Sequence, residues 1–387
     1  MMATAQTPTN KQGVILLAAG GTGGHVFPAI AVGEYLHSQG FTPYFITDKR
    51  GQKLLTQHSN LNHRLNHLTI SAASPFVGNP LMRLLRLITL GMGFVVALMA
   101  VIRHRPHASI GFGGYPAVAP VVASYLCRVP IVLHEQNAHS GRANQFLSRF
   151  ANAIALSWPR QGVNAKNQKY KVVGTPVRAE FFAIGKTTYT PPSTTSPIRL
   201  LVVGGSLGAS IFAKLIPSAM EQLPDALRRR VTLTQQTRAE ETKQTTRHYK
   251  ALGIPARITP FITDMASAMG EAHLVICRAG ASSIAELAAA GRPAILVPYP
   301  HALDDHQTMN AKMIASHNGG WLLPEAGLTP DLLARRLTEV LNAPQTLAKA
   351  AKSIQQLGRG HAAKSIAEVA IARGVNINNP QAMGGKA

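Results

Sequence analysis

The chain alternates short unbroken apolar runs with amphipathic stretches. VILLAAG, Val14 to Gly20, has no polar alternation, the pattern of a strand buried on both faces. A glycine-rich turn follows. Then comes a helical stretch that Pro28, a favoured first-turn residue, is expected to open and Gly40 to end. FTPYFIT predicts the next strand, and HASIGFGG, VPIVLHEQ and NAIALS predict three more, with helical stretches between them. That order indicates an α/β domain with a largely parallel sheet.

Between Tyr170 and Pro197 the texture changes, and TTYTPPSTTSP reads as loop or linker. IRLLVVGGSLGASIFAKLI then repeats the first device: strand, glycine turn, helix. A third instance stands at HLVICRAGASSIAELAAAG, followed by the strand-like AILVPYP. Two such units joined by a linker predict two domains with a cleft between them. In open parallel sheets, ligands bind outside the carboxyl ends of the strands. The glycine turns, HEQN and RAGASS all follow strands, so they are expected on the ligand side. The final NINNPQAMGGKA reads as a disordered tail.

One segment stands apart. LITLGMGFVVALMAVI, Leu87 to Ile102, is 16 residues without a charge, preceded by Arg83 and Arg86 and followed by Arg103 and Arg105. A membrane-spanning helix wants roughly 20 apolar residues, which argues against a span. Two other readings stay open: a buried domain helix, and a helix resting in a lipid interface between basic flanks. The first ten residues are polar and uncharged, and the apolar run after them is too short for a signal peptide.

Composition narrows the class. With 387 residues and 46% apolar positions the chain suits two globular domains of ordinary size. Cys127 and Cys277 give neither a disulfide framework nor a CxxC pair, so a reducing cytoplasm is the natural setting. The net charge is +22, and residues 1–178 hold 17 Lys and Arg against 3 Asp and Glu. Such a basic half implies a polyanionic neighbour: nucleic acid, anionic lipid or a phosphorylated substrate. Nucleic acid is disfavoured, because aromatics are only 6% and do not interleave with the basic clusters.

The candidate chemistry sits at the strand ends. In GGTGGH, Gly20 to His25, glycines permit positive φ and close approach, and the helix behind them offers N–H groups to an anion. The glycines miss the GxGxxG register of a dinucleotide-binding oxidoreductase, and no GxxxxGK[ST] occurs. A bare strand-to-helix turn is the competing reading. His25, beside the positive end of a helix, is disfavoured as imidazolium, and a neutral imidazole can take a proton from a hydroxyl; otherwise it caps or packs. GGSLGAS repeats the turn, with the Ser206 hydroxyl added to a nest of backbone N–H groups. Glu286 has two readings: the acidic end of a capping box opened by Ser283, or a carboxylate for vicinal hydroxyls. HALDDHQ invites a metal, but its spacing matches no zinc pattern, and the absence of D-x-D leaves no tether for a metal-bridged diphosphate. Arg178 in TPVR either reaches a phosphate or is solvated. HEQN crowds four polar side chains after an apolar strand, more the mark of a site than of chance.

GGTGGHVFPA, GFGGYP, HEQN, TPVR, GGSLGAS, FITDM, CRAGASSIAELAAAGRPAILVPYP and DDHQTMNA, in that order between about residues 14 and 311, closely resemble the MurG family. Those bacterial enzymes add N-acetylglucosamine to undecaprenyl-pyrophosphoryl-MurNAc-pentapeptide. The resemblance implies an α/β GT-B fold, two Rossmann-like domains facing across a cleft. The domains are expected at 1–178, facing acceptor and membrane, and at 179–356, binding the UDP-sugar. A C-terminal helix, about 357–374, is expected to return to the first domain, with 375–387 as a tail. The donor is UDP-N-acetylglucosamine, the acceptor lipid I and the product lipid II, with inversion at the anomeric carbon. Another UDP-sugar transferase of the same fold acting on a lipid acceptor is the alternative.

Carried over motif by motif, Thr22, Gly23 and Gly24 approach the donor and Asn137 contacts the sugar. Arg178 and Ser206 address the phosphates, and Ile262 meets the uracil through its backbone. Ala281, Ser282, Ser283, Ile284, Ala285 and Glu286 line the nucleotide, with Glu286 on the ribose. Gln307 contacts the donor sugar, and His25 is the candidate base. Where some members carry glutamine this chain has Leu207, so only the backbone of that turn carries over. The resemblance implies no cofactor and no metal. Its expected partners are UDP-N-acetylglucosamine, lipid I, an anionic membrane surface and other cell-wall synthesis proteins, with no nucleic acid. The expected location is peripheral, on the cytoplasmic face of the inner membrane, with Leu87–Ile102 in the membrane patch.

Overall fold

The computed structural model describes residues 12–61, 65–71, 79–159, 167–205 and 209–378. The chain divides into two compact units, one of Met1–Pro176 with His361–Ala387 and the other of Val177–Gly360.

In the first unit, β1 (Val14–Ala18), β2 (Thr42–Thr47), β3 (Asn66–Thr69), β4 (Ala108–Gly111), β5 (Ile131–Glu135), β6 (Ala153–Leu156) and β7 (Tyr170–Val172) form a sheet in the order β3-β2-β1-β4-β5-β6-β7. Every described pairing is parallel. The helices are α1 (Gly23–Ser38), α2 (Lys49–His58), α3 (Pro80–His104), α4 (Val118–Leu126) and α5 (Arg142–Leu147). β1 is apolar throughout because both its faces are covered. Ile15 and Leu17 enter a core that includes Val26 and Ala29 of α1, and Leu16 and Ala18 enter another with Ala97, Ala100 and Val101 of α3. Burying one such Leu or Ile contributes about 1.5–3 kcal/mol.

Pro28 does not open α1. The helix starts five residues earlier, at Gly23, behind Thr22 in extended conformation. The N–H groups of His25 and Val26 both turn back to the Thr22 carbonyl, so the first turn exists before the proline is reached. Pro28 merely withholds a bond from the Gly24 carbonyl.

α3 carries the 16-residue uncharged run. Asn79 caps it, its side chain accepting from Met82 N at 2.9 Å. Ile88, Met92, Val95, Met99 and Ile102 recur at spacings of 4, 3, 4 and 3 and are each 52–67% exposed. They form one helical stripe. The buried side uses small residues, Ala97 and Ala100, against the core. Among the described residues no helix is long and apolar enough to cross a membrane.

In the second unit, β8 (Ile198–Val203), β9 (Val231–Gln236), β10 (Ala256–Thr259), β11 (Leu274–Cys277), β12 (Ala294–Leu296) and β13 (Gly320–Leu322) pair in parallel in the order β10-β9-β8-β11-β12-β13. Its helices are α6 (Ala179–Gly185), α7 (Ser210–Glu221), α8 (Asp225–Arg228), α9 (Thr242–Ala251), α10 (Met265–Glu271), α11 (Ala281–Ala290), α12 (His306–Ser316), α13 (Pro330–Leu341) and α14 (Pro344–Leu357). The last helix, α15 (Ala362–Asn378), belongs to the first unit, where Ile366, Ala367 and Ala370 join the core of β1 and α1. Gly374 passes so close to the His107 carbonyl that a Cβ there would stand 2.7 Å from it. The predicted tail beyond Asn378 lies outside the described residues.

In each sheet the strand order reverses once, between β1 and β4 and between β8 and β11. The crevice outside the carboxyl ends at such a switch point is where α/β sheets take ligands.

Candidate active site

In the first unit the switch point is built from GGTGGH, GFGGYP and HEQN. Gly21, at φ +83°, turns the chain out of β1, and Thr22 starts α1. The Asp48 carboxylate, at the end of β2, accepts from Gly21 N at 3.1 Å and Gly51 N at 2.8 Å, fixing the turn to the start of α2. Gly23 and Gly24 open the helix, and Thr22 Oγ1 lies 3.2 Å from His25 Nδ1. Gly113 and Gly114, at φ +90° and +75°, follow β4 beneath the imidazole. A Cβ on Gly113 would stand 3.2 Å from His25 Cδ2, and one on Gly114 would stand 2.8 Å from the Gly20 carbonyl. Only glycine lets this loop approach the first turn so closely.

Of HEQN, three side chains are committed to the interior. His134 is fully buried, and its Nε2 donates to the Gly174 carbonyl at 3.0 Å, with Ser157 Oγ at 3.2 Å. Burial pushes its pKa down to about 4, against the carbonyl's pull and with the help of nearby His25, so it is neutral near pH 7. Gln136 Nε2 donates to the Phe112 carbonyl, and the Gln136 backbone carbonyl accepts from Trp158 Nε1. Glu135 accepts from Asn137 N (3.0 Å), Asn137 Nδ2 (3.3 Å), Gly141 N (3.3 Å) and Asn144 Nδ2 (2.9 Å). Burial raises its pKa and these donors restrain the rise. Asn137 is the half-exposed member, held at both its backbone and its amide by Glu135.

In the second unit, Gly204 and Gly205 follow β8, with Gly205 at φ +83°. Ser206 and Leu207 lie outside the described residues. β11 leads through Arg278 and Ala279 to Gly280, the extended N-cap of α11, and no side chain caps that end. The first turn, Ala281, Ser282 and Ser283, therefore presents backbone N–H groups at the sheet's carboxyl edge, where an anion is favoured. Ile284 and Ala285 are buried behind it.

Glu286 is not part of a capping box. Gly280 holds the cap and Ser283 is the third residue inside the helix, so the S-x-x-E spacing falls one turn too late. The Glu286 carboxylate instead stands 4.0 Å from Arg178 Nη2, and Arg178 Nη1 is 3.3 Å from Glu180 Oε1. Burial raises Glu286 to about 7; Arg178 opposes the shift and Glu180 adds to it. Ile262 is buried between β10 and α10, beside Asp264, whose side chain accepts from Ser267 N. A cavity of about 430 Å³ next to it is lined by Arg178, Glu180, Thr263 and Asp264 among others. Gln307, second residue of α12, accepts at Oε1 from Tyr299 N at 3.0 Å. Asn310 Nδ2 donates to the Ala279 carbonyl, tying α12 to the loop before α11.

Thus Thr22, Gly23, Gly24, His25 and Asn137 gather at the switch point of the first unit. Arg178, Ile262, Ala281–Glu286 and Gln307 gather at the carboxyl edge of the second. Sequence reading gave no role to Asp48, Asn144 or Arg278 and took Glu135 only as one of the four polar residues of HEQN; these side chains hold the site residues from behind. Glu135 carried a signal, an acid closing an apolar strand, but its partners are backbone groups and amides that no spacing reveals.

Comparison with known proteins agrees with this layout. Residues 15–156 match the glycosyltransferase family 28 N-terminal domain and residues 199–369 its C-terminal domain. A protein of Granulibacter bethesdensis, a UDP-N-acetylglucosamine--N-acetylmuramyl-(pentapeptide) pyrophosphoryl-undecaprenol N-acetylglucosamine transferase, is 42% identical over 92% of this chain and 92% of its own. One of the same name from Sinorhizobium medicae is 40% identical over 92% and 94%. The crystal structure of Acinetobacter baumannii MurG superposes with a TM-score of 0.74 at 29% identity, covering 92% of this chain and 99% of that one. The chain belongs to the MurG family. The MurG-family fold extends to more distant transferases: the calicheamicin glycosyltransferase CalG4 gives a TM-score of 0.65 at 15% identity, over 95% of this chain and all of that one, a likeness of fold alone. Both sheets are therefore those of a GT-B glycosyltransferase.

Proposed function

We infer that the chain transfers N-acetylglucosamine from UDP-N-acetylglucosamine to the 4-hydroxyl of MurNAc in lipid I, producing lipid II for peptidoglycan. The observation that carries this reading is the match to transferases of that name at 42% identity over 92% of the chain.

The residues suit an inverting displacement. His25 takes the proton of the acceptor hydroxyl as that oxygen attacks C1 of the sugar, and UDP departs with a growing negative charge. The open amide groups at the start of α11, together with Arg178 and Ser206, meet that charge, which fixed dipoles do without reorganising. Glu286 accepts from the ribose hydroxyls, Ile262 presents its backbone to uracil, and Gln307 touches the donor sugar. In the first unit Thr22, Gly23, Gly24 and Asn137 contact substrate. No covalent enzyme intermediate is required.

The exposed stripe of α3, with Tyr125 and Leu126 exposed at the end of neighbouring α4, is the surface we assign to the membrane. Exposed Arg103 and Arg105 flank it. Each basic side chain near an anionic surface contributes about 1 kcal/mol, and shallow burial of the stripe adds to that. With a lipid-borne acceptor and a nucleotide-sugar donor, we assign the work to the cytoplasmic face of the inner membrane.

A water-soluble lipid I analogue with UDP-N-acetylglucosamine, assayed with and without EDTA, tests the reading. The expected product is the β1,4-linked disaccharide with release of UDP. Failure to glycosylate the analogue while another lipid acceptor is glycosylated would overturn it.

A further inference from the structure

We propose that Arg278 and Glu325 are positioning residues for the donor sugar, acting through the side-chain amide of Gln307. The proposal rests on the reading of Gln307 as the sugar contact.

Arg278 leaves β11 with only 9% of its surface exposed. A buried guanidinium is costly unless its charge and donors are matched. Here Nη1 donates to the Val297 and Pro298 carbonyls, each at 3.1 Å, and lies 2.5 Å from Glu325 Oε2. The rings of Phe212 and Tyr299 pack near the guanidinium at 5.2 and 5.4 Å. Glu325 follows β13, so one ion pair links the exits of β11 and β13 across the exit of β12. What it grips is the backbone of Val297 and Pro298. Val297 N still pairs with the Cys277 carbonyl, but Pro298 has no N–H to continue the ladder, and the carbonyls of both residues are met by Arg278.

The next residue is the one that matters for ligand. Tyr299 N donates to Gln307 Oε1 at 3.0 Å. A backbone N–H can only be met by the oxygen of the amide, so the orientation of Gln307 is decided: its Nε2 points away from Tyr299. Gln307 therefore offers two N–H donors to a ligand, with its oxygen already engaged by Tyr299 N. A sugar hydroxyl oxygen or an acetamido carbonyl is the group such an amide recognises. All three oxygens are met at Nη1 while the guanidinium plane packs near Phe212 and Tyr299, and it is this reach and planar stacking that lysine lacks.

The test compares binding of UDP-N-acetylglucosamine with binding of UDP, by calorimetry on the full chain. Arg278→Lys and Glu325→Ala are expected to weaken UDP-N-acetylglucosamine by about tenfold, the value of one hydrogen bond, while UDP affinity holds within about twofold. The isosteric Glu325→Gln, expected to fall between them and the parent, carries the test if the other two do not fold. Gln307→Ala should show the same selective loss, and combining it with Arg278→Lys should add nothing further. Gln307→Glu keeps an oxygen for Tyr299 N but replaces the donors, so it should lose as much as Gln307→Ala; full affinity there overturns the proposal. Equal losses of UDP and UDP-N-acetylglucosamine, or additive losses in the double variant, also overturn it. If Gln307→Ala is selective and the Arg278 and Glu325 variants are not, the clamp fails and the sugar contact stands. If Gln307→Ala itself leaves the ratio unchanged, the sugar contact fails and the clamp with it.

Discussion

Glu286 Oε1 stands 4.0 Å from Arg178 Nη2, and Glu180 shares the same guanidinium. The arginine is thus divided between two carboxylates, and it does not offset the burial of Glu286, which stays raised at about 7.

A raised carboxyl pKa means the group is ionised above pH 7 and protonated below it. Ribose hydroxyls donate to the ionised form, so the KM for UDP-N-acetylglucosamine should rise toward tenfold for each pH unit below about 7. Glu286→Gln should bind donor weakly and flatten that profile. The native state binds this proton more tightly than the unfolded chain does, so the group's ionisation erodes stability as pH rises from the ordinary glutamate range through about 7. Glu286→Gln should therefore be more stable than the parent near pH 8, by the order of 1–3 kcal/mol. Donor titrations and thermal melts across this pH range check both signs.

His25 is placed by its own helix turn and by Gly113 and Gly114. Its removal as general base should cost about 10²–10⁴ in kcat. His25→Ala is expected to keep UDP-N-acetylglucosamine affinity within a few fold and lose that turnover. Near-parental kcat would take His25 out of the chemistry.

Glu135 gathers four donors from Asn137, Gly141 and Asn144. Glu135→Ala strands them in the interior and should destabilise the chain by the order of 3 kcal/mol. It should also reduce kcat/KM by freeing Asn137. Glu135→Gln keeps one oxygen and should retain more of both. Chemical denaturation beside steady-state kinetics separates the two effects.

The α3 stripe makes a prediction in the opposite sense. Met92→Asp with Met99→Asp alters two exposed side chains, so the melting temperature should move little. Flotation with anionic vesicles should fall sharply, with turnover of a water-soluble acceptor analogue retained. Loss of both together would show that the stripe is part of the fold and not of a lipid contact.

Local pattern set a good deal of this protein. The apolar runs at Val14, Ile131 and Leu200 made buried parallel strands, because a strand covered on both faces needs no polar alternation. The glycine turns after them, Gly21 and Gly205 at positive φ, followed from the same residues. The family motifs were legible in order because binding groups sit at strand ends, in short contiguous words.

What the words could not say was which of their letters face a ligand. In HEQN the sequence offers four equivalent polar residues, and only the folded surroundings commit His134, Glu135 and Gln136 to the interior and leave Asn137 half-exposed. Ser283 and Glu286 have the spacing of a helix cap, yet the cap falls on Gly280, because helix starts are decided by which backbone groups find partners. Pro28 could have begun a helix, but Thr22 had already begun it. Spacing along a chain fixes periodicity and turn chemistry, which are local. Burial, and with it the shifted charge of Glu286 and the lock of Arg278 on Glu325, depends on groups dozens of residues apart, and only tertiary packing brings those together.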